Sequence, residues 1–208
     1  MQAYVKDIFI ILFTRLKGSK TSTFSQRFER LIYWLSGRVD KGAGPDFIIA
    51  SIDSVQPGLF EQVYSAVILP DTKVLSRPTD RKIAVVGLMK FITVSQALRA
   101  GQPYHKVWPP TVVALLKLLE GEVVVKDDPI LDLREAEIDD ISFGASFAKL
   151  NTCNKPEEDP FPEVQGNLDQ YTAQKFKEAL SDGGRQLQAE IEASLQPPVQ
   201  SVLQKYLS

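Results

Sequence analysis

Between Tyr4 and Leu16 the apolar residues Tyr4, Ile8, Ile11, Leu12 and Leu16 recur at i, i+4, i+7, i+8 and i+12, the helical period. Val5, Phe9 and Phe13 add a second apolar row, and a helix apolar on more than one face is expected between neighbours. Gly18 breaks the pattern. Phe24, Phe28, Leu31, Ile32 and Leu35 then form a second stripe, with Arg27 and Arg30 on its polar side and Thr23 with Gln26 as a capping-box start.

Gly42, Gly44 and Pro45 punctuate the chain before a third helix carrying Ile48, Ile52 and Val55, with Pro45 suited to its first turn. Pro57 limits that helix, and Asp53 or Ser54 is placed to cap the junction. The Gln56-Pro57-Gly58 break therefore reads as a joint between two helices packed on each other. Leu59, Val63, Ala66 and Val67 continue at helical spacing up to Pro70, which is predicted to stop them. Pro78 with Asp80 opens a fifth helix carrying Ala84, Leu88, Phe91 and Ile92. Trp108-Pro109-Pro110 opens a sixth carrying Val112, Leu115, Leu116 and Leu119.

These six helices read as three pairs starting near residues 4, 45 and 78, close to the ~40-residue period of HEAT-type helical pairs. The expected fold class is all-α: an α-solenoid of HEAT-type antiparallel helix pairs. Residues 1–120 are expected to hold the three pairs, 121–141 an acidic linker broken by Pro129, and 142–208 further helices of the same stack. Those comprise a short helix near 143–150, a Pro-rich connection over 151–163, and an amphipathic helix through Leu168, Tyr171, Lys175, Phe176 and Leu180 that stops at Gly183-Gly184. A helix through Leu187, Ile191 and Leu195 and another over Val202 to Leu207 follow, separated by Pro197-Pro198.

With 208 residues, 44% hydrophobic and 24% charged, the chain can bury a sizeable core. Its net charge of -2 lacks the basic footprint of a nucleic-acid binder. The charge is unevenly laid out, because residues 120–163 hold thirteen Asp/Glu against four Lys/Arg. The apolar run Ile8 to Phe13 is far short of the ~20 residues of a membrane span, so no membrane insertion is expected. A lone cysteine, Cys153, fits a reducing compartment.

Catalytic chemistry has little to build on. The single histidine, His105, stands just before a helix start and reads as an exposed or capping imidazole. One His and one Cys cannot form a Cys/His zinc site. No phosphate-cradling glycine loop appears, and the carboxylates between Asp127 and Asp140 lack the spacing of a calcium loop. No catalytic, cofactor-binding or metal-binding residue is therefore assigned, and no enzyme is expected. Trp34 and Trp108, in apolar helical contexts, read as core-packing residues.

The segments GPDFIIASIDSVQPGLFEQV, DRKIAVVGLMKFI, VWPPTVVALLKLLE and FGASFAKL closely resemble the C-terminal part of the importin-alpha re-exporters, the cellular apoptosis susceptibility family of exportins within the importin-beta superfamily. FTRLKGSKTSTF is similar to that family too. The resemblance runs from about residue 6 to 150, with DGGR at 182–185 as an echo in the tail.

The resemblance implies a HEAT superhelix that, in a receptor several times longer, wraps importin-alpha with Ran-GTP and shuttles between nucleus and cytoplasm. This chain would be a C-terminal piece, with the family's N-terminal GTPase site outside it. Candidate partner contacts are Arg77, Arg81 and Lys82 near a helix start, and Asp127, Asp128, Asp139 and Asp140 in the acidic stretch. Exposure of Ile8, Phe9 and Phe13 at the N-terminal end would favour self-association. Helical periodicity alone leaves open a HEAT-repeat scaffold or regulatory subunit without a transport role. An enzyme using Cys153 would need activity that Cys153→Ala or His105→Ala abolishes.

Overall fold

The computed structural model describes residues 2–18, 21–75, 77–121 and 158–207. The expected helix at 143–150, residues 122–141 of the acidic linker and the start of the Pro-rich connection lie outside the described residues. The helices are α1 Gln2–Gly18, α2 Ser22–Gly37, α3 Pro45–Asp53, α4 Leu59–Val63, α5 Leu69–Asp71, α6 Pro78–Thr93, α7 Trp108–Glu120, α8 Leu168–Ser194 and α9 Pro197–Leu207. The fold is all-α, with no strand among the described residues.

Local chemistry sets most boundaries. Proline occupies the first turn of α3, α6 and α7, where its missing N–H has no intrahelical partner to lose. At α2 the cap is Thr21, whose Oγ1 accepts from Phe24 N at 3.3 Å. The Thr23–Gln26 box is therefore not the start: Thr23 already lies inside the first turn.

Between α3 and α4, Leu59 N donates to Gln56 O at 3.1 Å, with Gly58 at φ 75°, ψ 5°. That is a type II turn, which favours proline second and requires a left-handed third residue, here Pro57 and Gly58. Asp53 Oδ1 accepts from Phe60 N at 3.0 Å, so the end of α3 caps the start of α4.

Pro70 does not stop the fourth segment. Tyr64–Ile68 forms a π-helical turn in which Leu69 N–H reaches back five residues to Tyr64 O, and the helix continues through α5 into a 3-10 turn, Thr72–Val74. A proline inside a regular helix collides with the carbonyl four residues back. The wider π turn gives the ring room, and a π bulge is the usual form of this adjustment.

The helices sort into two rows. α2 packs extensively on α6, and α8 lies against the other side of α6. α1 adjoins α3, while α5 and the following 3-10 turn adjoin α7. Thus α3 and α4–α5 lie in one row as a bent unit, and their partner across the seam is α6. The spacing rule had paired α3 with α4; the α6 apolar surface instead supplies the second layer.

Phe28, Ile32 and Tyr33 of α2 meet Ile83, Val86, Leu88, Phe91 and Ile92 of α6 within one core, all almost fully buried. Burying each such side chain contributes about 1.5–3 kcal/mol. Gly87 sets the distance: a Cβ there would lie 2.7 Å from the Cα, Cβ and backbone oxygen of Tyr33.

Polar ties lock neighbouring segments. Tyr33 Oη meets Thr72 Oγ1 at 2.5 Å, and since Thr72 donates to Ile68 O, the tyrosine is the donor. Asp46 on α3 accepts from Ser95 Oγ at 2.6 Å and from Gln96 N at 2.9 Å, fixing the turn after α6.

The C-terminal helix α8 runs unbroken through Gly183-Gly184. Two helical glycines cost about 2 kcal/mol relative to alanine, less than burial of Phe176, Leu187, Ile191 and Leu195 returns. Pro197-Pro198 does separate α8 from α9, as its position at the first turn of α9 requires.

Candidate protein-interaction surfaces

The charges singled out in the sequence have different fates. Arg81 is buried, 7% exposed, and its guanidinium donates to Leu119 O and Gly121 O, each at 2.6 Å. It closes the C-terminal end of α7, whose last carbonyls have no intrahelical donor. That geometry turns Arg81 inward, away from the partner contact the sequence suggested.

Its neighbour Lys82 pairs with Asp159 at 2.7 Å. Lys82 Nζ donates to that carboxylate, which with the Phe161 N–H holds the Asp159 pKa below its ordinary value. Arg77 stands exposed just before α6. Asp127, Asp128, Asp139 and Asp140 lie outside the described residues.

Arg81 and Lys82 therefore grip the two chain segments that flank residues 122–157, one at Gly121 and the other at Asp159. From Asp159 the chain lies across α2 and α6. Phe161 is fully buried, its ring filling a notch where a Cβ on Gly37 would come within 2.4 Å of it. The Arg38 guanidinium stacks over Phe161 at 4.9 Å and over Trp34 at 5.5 Å, and donates to Pro160 O. Nothing local in the sequence marks Phe161 as a plug: its seat is built by residues more than a hundred positions away.

α8 is anchored separately. Glu190, 3% exposed, accepts from Ala100 N at 2.5 Å and pairs with Arg99 at 3.6 Å.

Trp108 is a core residue as expected, fully buried with its Nε1 donating to Ile92 O at 3.2 Å. Trp34 is not: 36% of it is exposed. It borders an open cleft of about 370 Å³ lined by Arg27, Arg30, Leu31, Trp34, Ile83 and Pro160. The signal for this was present in α2, where Arg27, Arg30, Trp34 and Arg38 recur on one helical face.

On α1 the two apolar rows separate. Phe9 is buried and Phe13 packs edge-on against Phe28 at 6.0 Å, whereas Tyr4, Ile8 and Ile11 are 71%, 51% and 68% exposed. The exposed patch is thus the Tyr4–Ile8–Ile11 row; Phe9 is excluded from it by the core.

His105 lies in a 3-10 turn with Nε2 enclosed and without a hydrogen-bond partner among the described residues. No group of three or more metal-ligating side chains occurs among the described residues. No described helix is long and apolar enough to cross a membrane.

Buried tyrosines rather than charged clusters dominate the titration behaviour. Burial pushes Tyr33 and Tyr64 well above the ordinary phenol value, and burial with a hydrogen bond to Asp53 pushes Tyr104 up to about 12.

Two rows of helices stacked over a continuous seam, with surfaces of charge and exposed aromatics, define an α-solenoid of the protein-binding class. Residues 1–206 match the family described as CAS/CSE protein, C-terminus, and the chain belongs to that family.

Among its relatives, the importin-alpha re-exporter of Schizosaccharomyces pombe is 34% identical over 206 residues, covering 98% of this chain and 21% of that protein. Exportin-2 of Xenopus laevis is 30% identical over 210 residues, covering 100% of this chain and 21% of that protein. The solved structure described as the exportin Cse1 in its cargo-free, cytoplasmic state shares the fold, with a TM-score of 0.73 at 22% identity, covering 99% of this chain and 20% of that one. The chain spans about a fifth of the length of these relatives.

Proposed function

We propose that the chain acts as the C-terminal part of a nuclear export receptor that carries importin-alpha from nucleus to cytoplasm in a complex with Ran-GTP, shuttling between the two compartments. The observation that carries this reading is the match of residues 1–206 to the CAS/CSE C-terminus, together with 34% identity to a protein named importin-alpha re-exporter. The mechanism is binding, with no catalytic step. A solenoid whose repeats touch only their neighbours changes curvature through small shifts at each interface. Cargo and Ran-GTP that favour the same curvature raise each other's affinity by linkage. Arg77, Lys82 and the carboxylates Asp127, Asp128, Asp139 and Asp140 are the proposed contact charges. The exposed Tyr4–Ile8–Ile11 row gives the isolated chain a surface for self-association.

The test is a graft. In fission yeast, the matching segment of the importin-alpha re-exporter is replaced by residues 1–206 of this chain, and the location of importin-alpha is followed by fluorescence. Restoration of its return to the cytoplasm, compared with the receptor lacking the segment, supports the reading. Nuclear accumulation with a folded, expressed graft contradicts it.

A further inference from the structure

The α2–α6 surface already holds one peptide, and its chemistry defines what it takes. Asp159 meets Lys82, Phe161 enters the Gly37 notch beneath Arg38, and Pro160 presents its carbonyl to Arg38. An acidic residue followed by an apolar ring is thus seated on a row of cations with an apolar floor. The same elements recur further along α2 towards its N-terminus, with no peptide among the described residues over them. There the cleft of about 370 Å³ is floored by Leu31 and Ile83, walled by Trp34 and Pro160, and edged by Arg27 and Arg30.

We infer that this cleft is the open half of one peptide groove, and that it binds an extended acidic segment of a partner protein carrying an aromatic residue. Charge complementarity selects the occupant. Arg27, Arg30, Arg38 and Lys82 face the groove, against Asp80, which pairs with Arg30 at 3.0 Å, and Asp159, which pairs with Lys82. Glu29, the other charged residue in this stretch of α2, is buried away from it.

A guanidinium has five N–H donors, so Arg30 can hold Asp80 and accept a second carboxylate. Trp34 offers a ring face for stacking an aromatic side chain, and Pro160 closes the far wall. A basic segment would meet like charge on this edge. The inference concerns this groove alone and stands whether or not the chain serves in export.

The test uses the 208-residue chain and a fluorescein-labelled peptide EDEFED, followed by anisotropy at about 50 mM salt, where exposed charges are weakly screened. Acrylamide quenching supplies a second readout. Since Trp108 is fully buried, the quenchable tryptophan emission comes from Trp34.

The expected result is saturable binding that shields Trp34 from acrylamide, weakens about tenfold in Arg27→Glu, and survives in Arg27→Lys. Peptides KRKFKR and EDEAED are expected to bind at least tenfold more weakly. Arg27 is exposed, so its variants should keep the wild-type circular dichroism. The inference is overturned by no binding of EDEFED up to about 1 mM, by affinity unchanged in Arg27→Glu, or by Trp34 remaining quenchable in the complex. Displacement of EDEFED by a single-stranded oligonucleotide at equal affinity would mark general anion attraction and overturn it too.

Discussion

Replacing Gly87 by alanine isolates the contact that sets the spacing of the helical stack. The added Cβ would lie 2.7 Å from three atoms of Tyr33, two of them backbone. Carbon–carbon contact is comfortable near 3.5–4.0 Å, so α2 and α6 must separate by the better part of an ångström or bend. Overpacking of this kind costs about 1–3 kcal/mol, and more when backbone is the obstacle.

The opposing term is the helix propensity of alanine over glycine, about 1 kcal/mol in favour of the variant. The expected net effect is a loss of about 1–2 kcal/mol, and at this chain length each kcal/mol lowers Tm by about 2–4 °C. The assay is thermal and urea unfolding followed by circular dichroism, with Gly18→Ala as the control, since a Cβ there meets nothing within 4 Å. A Gly87→Ala protein as stable as the wild type, or more stable, would refute the close approach of α2 and α6.

Phe161→Ala should destabilise the chain by about 3–5 kcal/mol, read in urea unfolding, because it empties the notch over Gly37. Arg81→Lys should lower Tm nearly as much as Arg81→Ala, since one ammonium cannot replace the guanidinium fork between Leu119 O and Gly121 O; full retention by lysine would argue against the capping role. The buried tyrosines hold their protons in the fold past pH 10, whereas the unfolded chain releases them near 10, so stability should be intact below that pH and fall as pH rises above it. Tyr33→Phe should flatten that alkaline slope in a pH series of urea titrations. Ile8→Glu with Ile11→Glu should shift any concentration-dependent association of the isolated chain to monomer in sedimentation, without changing its helicity.

Helix starts were legible because proline and the apolar stripe act locally: Pro45, Pro78 and Pro109 each stand in the first turn that the sequence assigned to them. The Gln56-Pro57-Gly58 joint was legible for the same reason, as its turn type is written in the order of its residues. What local rules misjudged were breakers overridden by tertiary packing. Pro70 passes through a π turn whose Tyr64 and Ile68 are fixed in the core, and Gly183-Gly184 lies in a helix held by Phe176, Leu187 and Ile191.

The candidate surface was legible only as charge. Arg77, Arg81 and Lys82 read alike in sequence, yet only the fold reveals that Arg81 closes α7 while Lys82 meets Asp159, because both partners are distant along the chain. Trp34 read as core because its apolar neighbours repeat helically, whereas its burial depends on what lies across α2, and there Pro160 leaves a cleft. The long-range seat of Phe161 left no periodic trace at all.

The most direct measurement is the affinity of importin-alpha for the fission yeast re-exporter carrying residues 1–206 of this chain in place of its own matching segment, taken by surface plasmon resonance with Ran-GTP and with Ran-GDP. The account predicts tight capture that depends on Ran-GTP and is lost when the segment is deleted. Capture equally tight without the segment, or insensitive to the nucleotide on Ran, would contradict it.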